Sequence, residues 1–123
     1  MSADYVPERG DLILIDFDPQ GGREQKGRRP GVVLSPAKYN RVSSLAWICP
    51  ITSKRKGYPF EVQVPEGLAI QGIALVDQVR SLDYRQRRAE FVTRLPLDCY
   101  TEMLGRARTL LSGPGRNYAH EIP

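Results

Sequence analysis

Apolar positions along the chain come in short runs, separated by polar segments that carry Gly or Pro. That spacing predicts strands rather than long helices. Residues 11–17 (DLILIDF) form an apolar, β-branched run and predict a first strand. Residues 30–35 (PGVVLS) predict a second, with Pro30 at its start, where a missing N–H is tolerated. Residues 36–44 read as a connection with room for one helical turn. Residues 45–52 (LAWICPIT) predict a third strand, in which Pro50 signals an edge or a bulge. In residues 59–64, Phe60, Val62 and Val64 alternate with Glu61 and Gln63, the pattern of a half-buried strand. Residues 72–82 hold one strand, or two across a bend near Asp77 and Gln78, and residues 90–94 a last one. Only residues 96–112 change period. Leu97, Tyr100, Leu104, Ala107 and Leu111 recur at helical spacing, with Met103 and Leu110 widening the stripe. Pro96 suits the first helical position, and Gly113 with Pro114 stops the helix. The expected architecture is mainly β: a small, mostly antiparallel barrel or sheet carrying one C-terminal helix.

Length and composition bound this picture without changing it. The chain has 123 residues, enough for one core and too few for two. We therefore expect a single domain over residues 1–112, with its helix at 96–112 and a peripheral tail at 113–123. No apolar run approaches the ~20 residues of a membrane span, and the start, MSADYVPERGD, has no apolar signal core. The expectation is a cytoplasmic protein with no membrane partner. Cys49 and Cys99 stand far apart, and His120 is the one histidine. A disulfide scaffold, a zinc site and any two-histidine mechanism are thereby disfavoured. Asp16, Asp18 and Glu61 could suggest a metal nuclease, but Asp16 and Asp18 read better as solvent-facing residues at a strand end. No metal or cofactor is expected, and both cysteines read as buried free thiols.

Charge does change the picture. The net charge is +4, carried by fourteen Arg against four Lys. Arg presents a rigid, permanently charged fork suited to phosphate oxygens. The cations gather in three places: the twelve-residue polar segment 18–29 (DPQGGREQKGRR), residues 53–58 (SKRKGY), and Arg85, Arg87 and Arg88. Any one cluster reads as a solvated face. Three on loops flanking one sheet are better explained by a polyanion. Tyr58, Phe17 and Tyr84 sit beside the clusters as candidates to stack unpaired bases. Trp47, inside an apolar run, reads as core or dimer interface.

Three segments together resemble one family: GDLILIDFDPQGGREQKGRRPGVVLS (10–35), CPITSKRKGYPFEV (49–62) and GIALVDQVRSLDYRQR (72–87). They are similar to the MazF/PemK toxins of bacterial toxin–antitoxin systems, from about residue 5 to residue 112. The resemblance implies a CcdB/PemK-type Src-homology-3-like barrel and a homodimer. It implies a metal-independent endoribonuclease that cuts single-stranded mRNA at short sequences, leaving a 2′,3′-cyclic phosphate and a 5′-hydroxyl. It also implies a cognate antitoxin whose acidic, disordered tail covers the RNA groove, and a toxin–antitoxin complex held on DNA through that antitoxin. In the PemK branch an Arg stands two residues before the Asp of the D-Q pair. Here that position is Leu75, so the chain looks more like the MazF branch.

Metal-free cleavage uses the RNA's own 2′-OH. The enzyme must take its proton, stabilise the phosphorane charge and protonate the leaving 5′-oxygen. By resemblance, Arg29 contacts the scissile phosphate. Its pKa makes it a charge stabiliser in preference to a base. The hydroxyl of Thr52 binds or orients the same phosphate. Glu24 either accepts the 2′-OH proton or orients Arg29; a local ion pair is an equal reading. Candidate RNA contacts are Gln25, Lys26, Arg28, Ser53, Lys54, Lys56, Tyr58, Asp77, Gln78, Arg80, Arg85 and Arg87. Two other functions stay open: a non-catalytic, CcdB-like gyrase poison, and an RNA-binding barrel without chemistry. The gyrase reading is disfavoured because the chain's end, AHEIP, has no Trp.

Overall fold

The computed structural model describes residues 4–18 and 27–112. Glu24, Gln25 and Lys26 and the 113–123 tail lie outside the described residues. The elements run β1 (Asp11–Asp16), β2 (Arg28–Val33), α1 (Ala37–Ser43), β3 (Ala46–Thr52), β4 (Glu61–Gln63) and β5 (Ile73–Leu75). After a single 3-10 turn at Val76–Gln78 come β6 (Arg80–Leu82), β7 (Glu90–Arg94) and α2 (Leu97–Ser112). The strands form one antiparallel sheet in the order β4-β5-β3-β2-β1-β7, with β6 also on β3. The sheet is barrel-like but not closed among the described residues, because β4 and β7 do not pair.

The continuous apolar run of β1 is explained by burial on both faces. Leu12 enters a cluster with Val32, Cys49, Ile51, Val64, Val76 and Met103, while Ile13 and Ile15 enter a second one with Val33, Ile48, Leu82 and Tyr84. Alternating side chains of one strand thus serve two cores.

Strand β3 is the hub, and Pro50 shows why. On one edge β3 pairs with β2; on the other it carries β6 along Ala46–Ile48 and β5 along Ile51–Thr52. Trp47 makes its backbone bonds toward the β2 side, its C=O accepting from the Leu34 N–H at 2.8 Å. Three residues on, by the two-residue alternation, Pro50 faces the other edge. Its missing N–H therefore falls in the gap between β6 and β5, where the Val76–Gln78 turn interrupts the ladder. Pro50 marks an interruption in a central strand, not an edge.

Helix α2 corrects one expectation. Its buried residues are Cys99 and Met103, with Tyr100, Leu104 and Ala107 partly buried against the first core. Leu97, Leu110 and Leu111 are exposed at 67 %, 55 % and 78 %. The apolar stripe is wider than the contact with the sheet, and its distal end lies free of it. Helix α1 is longer than the single turn expected. It is anchored by the fully buried Asn40, whose Nδ2 donates to the carbonyls of Pro7 (2.8 Å) and Ser35 (3.0 Å) and whose carbonyl accepts from Tyr84 Oη (3.0 Å). That bond and a 2 % exposure make Tyr84 a core residue and remove it from the base-stacking candidates.

Candidate active site

Arg29 stands near the start of β2, opposite Ile15 of β1. The β2–β3 register pairs Gly31 with Pro50, and the same register continued two residues sets Arg29 against Thr52. Directly opposed residues share a face, so both side chains project on one side of the sheet. Gly31 keeps this corner tight: a Cβ there would meet Ile48 Cγ2 at 2.8 Å and the Phe17 ring at 3.1 Å.

Two small cavities meet on this side. One, of about 350 Å³, is lined by Phe17, Arg29, Pro50, Gln78, Val79 and Arg80. The other, of about 200 Å³, is lined by Thr52, Lys54, Lys56, Tyr58, Glu61, Leu75 and Gln78. Gln78 borders both, because the 3-10 turn that carries it sits between β5 and β6, beside the Pro50 gap. Phe17 is only 6 % exposed. It forms a wall with Arg80 over its ring at 6.0 Å, not a free stacking platform.

The chemistry of these groups differs. Arg29 is exposed, and its side chain makes no hydrogen bond or ion pair with any described residue. Thr52 Oγ1 accepts the Lys54 N–H at 3.2 Å, which leaves its own O–H proton to donate. Tyr58 Oη donates to both carboxylate oxygens of Asp77, at 2.9 and 3.0 Å. That hydrogen bond, foremost, raises the Tyr58 pKa. Ser53, Lys54 and Lys56 are exposed on the β3–β4 loop. Arg106 of α2 braces the far end of this loop by donating to the Pro59 carbonyl.

The remaining predicted cations differ in how they are held. Arg28 lies on the other face of β2 from Arg29, bonded to Asp16 at 3.3 Å and to Glu90 at 2.9 Å, with its side chain 14 % exposed. Arg87 donates to the carbonyls of Asp16 (3.2 Å) and Phe17 (2.7 Å), and Arg80 to that of Phe17 (3.2 Å). Arg80, on β6, lines the cavity wall, and Arg87, on the turn after β6, is held to the same Phe17 carbonyl; carbonyl partners leave both charges unneutralised. Arg85 is exposed on that same turn.

Two carboxylates were misread from sequence. Asp16 is not solvent-facing: it is 4 % exposed, and the hydrogen bond from Arg88, before all other causes, lowers its pKa. Glu61 breaks the alternation expected of its strand. It is 8 % exposed and folds under the preceding loop to accept the N–H groups of Lys56 (2.8 Å) and Gly57 (2.9 Å). Burial alone would raise its pKa; these amides, with Arg55, outweigh burial and lower it. The local sign of this is the glycine-before-acid order of KGYPFE, with Glu61 four residues after Gly57. Among the described residues no cluster of three or more His, Cys, Asp or Glu is placed to hold a metal ion. Cys49 and Cys99 are buried free thiols, with Cys49 pushed up to about 12 by burial.

The profile of the family described as PemK-like, MazF-like toxin of type II toxin–antitoxin system matches residues 8–111. The chain belongs to this family. It is 52 % identical over 89 residues to the endoribonuclease toxin MazF of Escherichia coli strain K12, covering 72 % of this chain and 79 % of that protein. It is 34 % identical over 110 residues to the endoribonuclease PemK of E. coli, covering 85 % and 82 %. The crystal structure of MazF from Deinococcus radiodurans superposes with a TM-score of 0.78 at 52 % identity, over 88 % of this chain and 98 % of that one. A MazE–MazF complex from the same organism also superposes at 0.78, with 47 % identity over 89 % and 98 %. In this MazF/PemK chain no described helix is long and apolar enough to cross a membrane.

Proposed function

We propose that this endoribonuclease toxin cuts single-stranded RNA without a metal, by attack of the RNA's own 2′-OH on the adjacent phosphorus. The 2′-oxygen gives up its proton and forms the new P–O bond, the 5′-oxygen leaves and takes a proton from water, and the ends are a 2′,3′-cyclic phosphate and a 5′-hydroxyl. Arg29 supplies the charge that the dianionic phosphorane needs, and the Thr52 O–H donates to a non-bridging oxygen of the same phosphate. Glu24 is the candidate acceptor for the 2′-OH proton, or the orienter of Arg29. Gln78, between the two cavities, meets the nucleotides on either side of the cut. Lys54, Lys56, Arg80 and Arg87 hold flanking phosphates, with Gln25, Lys26, Ser53, Tyr58, Asp77 and Arg85 bordering the strand.

One observation carries this reading. Arg29, unpaired among the described residues, and Thr52, with a donatable proton, project from opposed positions on neighbouring strands. An ordinary surface Arg and an ordinary strand Thr have no reason to share such a corner. The unneutralised cations around it suit an acidic antitoxin segment as well as RNA, so we take a MazE-like antitoxin as the cognate partner, DNA-bound complexes forming through it. The exposed apolar residues Tyr39, Trp47, Leu110 and Leu111 line a groove of about 430 Å³ between α1, β3 and α2. A contiguous exposed apolar surface of this kind calls for a partner, and we assign it to a second copy of the chain. The whole unit, residues 1–112, is taken as one cytoplasmic domain.

The test is incubation of purified protein with mRNA in EDTA, with mapping of cuts and ends. Discrete cuts with 5′-hydroxyl ends are expected, and Arg29→Ala should abolish them while leaving the fold intact. Intact RNA, ends bearing 5′-phosphate, or near-parental activity of Arg29→Ala would overturn the reading.

A further inference from the structure

Among the described residues, a dense set of charged contacts lies behind the site, at the end of β1. Asp16 Oδ2 accepts from Arg88 Nε at 2.8 Å, and Oδ1 accepts from Arg88 and from Arg28 at 3.3 Å each. The second arm of Arg28 reaches Glu90 at 2.9 Å. The main-chain carbonyls of Asp16 and Phe17 take Arg87, and that of Phe17 takes Arg80 as well. Two consecutive residues thus hold four guanidinium groups. A carboxylate this buried is costly unless its partners satisfy it, and here they do.

The register gives the cluster its meaning. Asp16 is the direct cross-strand partner of Arg28, so the two share a face. Arg29, one residue on, must leave the sheet on the other side. Arg28 and Arg29 open β2, at the end of its ladder with β1, where Asp16 pairs with Arg28 and Ile15 with Arg29. By locking Arg28, Asp16 fixes the direction in which Arg29 departs.

We propose that Asp16 is a positioning residue for RNA cleavage: through Arg28 it holds Arg29 in register with Thr52, and it touches no substrate itself. This rests on the cleavage chemistry proposed above. A misplacement of about 1 Å in a catalytic group can cost about a hundredfold in rate, whereas general attraction of the RNA, spread over many cations, tolerates it.

The experiment uses the full chain and an RNA oligonucleotide bearing the cut site mapped for the parent. Single-turnover cleavage is compared with binding of the same oligonucleotide carrying a 2′-deoxy residue at the cut. For Asp16→Asn the cleavage rate should fall by about ten- to a hundredfold, with the dissociation constant of the deoxy analogue changed by no more than about threefold. A cleavage rate near that of the parent, at a temperature where the variant is folded, overturns the proposal. So does an equal loss of binding and cleavage, which a merely structural role or a direct RNA contact would produce. Should Asp16→Asn not fold, Arg28→Met leaves Asp16 bonded to Arg88 and should show the same split; parental cleavage there also overturns the proposal. A parent that leaves RNA uncut overturns the underlying reading instead, so the two failures are distinguishable.

Discussion

Thr52→Val exchanges a hydroxyl for a methyl at nearly constant volume, and the structure separates its two consequences. Thr52 ends β3 half-buried, and among the described residues its hydroxyl has one bond, accepted from the exposed Lys54 amide at 3.2 Å. Water can replace that bond, and Val is as good a strand residue as Thr. The stability cost is therefore at most about 1 kcal/mol, or a Tm change of no more than about 5 °C for a domain of this size. Loss of a donor aimed at developing negative charge costs far more, about 10²–10³ in rate or ~3–4 kcal/mol. The two numbers differ enough for one pair of measurements to decide. Single-turnover cleavage should slow by two to three orders of magnitude while the thermal unfolding curve barely moves. Thr52→Ser, which keeps the hydroxyl and adds rotameric freedom, should recover to within about tenfold of the parent. If Thr52→Val cuts at close to the parental rate, or if Thr52→Ser falls as far as Thr52→Val, the hydroxyl has no part in the chemistry.

Glu61→Gln should release the Lys56 and Gly57 amides and loosen the basic loop, raising KM several-fold while sparing kcat; an unchanged KM would show that the loop holds its shape without the carboxylate. Asp16 and Glu61 both have lowered carboxyl pKa values, so the unfolded chain binds more protons than the folded one in acid. Their stabilisation is full above the ordinary carboxylate range and is lost as pH falls through it, between about pH 5 and pH 2; Tm measured across that window should drop less steeply in Asp16→Asn than in the parent. RNA binding should weaken with salt with a log–log slope of about −0.7 per phosphate contacted, and a flat response would remove the phosphate-binding role of the loop cations. Leu111→Asp, in the exposed apolar groove, should halve the sedimenting mass; a parent already monomeric in the same run would show that a second copy is not the occupant.

What could be read from the sequence was local. The strand runs, the bend at Asp77–Gln78 and the helix over 97–112 all follow from periodicity and from Pro and Gly placement within a few residues. The errors came where a distant contact overrode the pattern. Glu61 occupies an outward position by alternation, yet it turns under a loop whose amides need an acceptor. Asp16 sits at a strand end that reads as exposed, but the arginines that bury it come from residues 28 and 88, and only the β1–β2 register brings the first within reach. Leu110 and Leu111 fit the stripe of α2, whose period says nothing of how far the sheet beneath it extends. At the site the family motifs assign Arg29 and Thr52 to one phosphate by resemblance alone, without the geometry that would bring them together. Their opposition follows from the Gly31–Pro50 pairing, which no local pattern encodes.

The same register explains why so arginine-rich a chain presents so selective a positive surface. Were all the guanidinium groups free, each would draw RNA with similar strength, and the strand would have no preferred register on the protein. Instead, Arg28 and Arg88 spend their charge on Asp16, with Glu90 taking the second arm of Arg28. Arg80 and Arg87 are tied to carbonyls, which fix their direction without cancelling their charge. Arg29 alone among these faces the cavity with no described partner. Neutralised, oriented and unpaired arginines thus lie within one corner of the sheet, and the unpaired one stands opposite Thr52, whose hydroxyl the proposed mechanism sets on the same phosphate. Net charge alone, at +4, would attract a polyanion without orienting it; in the mechanism we propose, the engagement of Arg28, Arg80, Arg87 and Arg88 leaves Arg29 as the guanidinium available to the scissile phosphate.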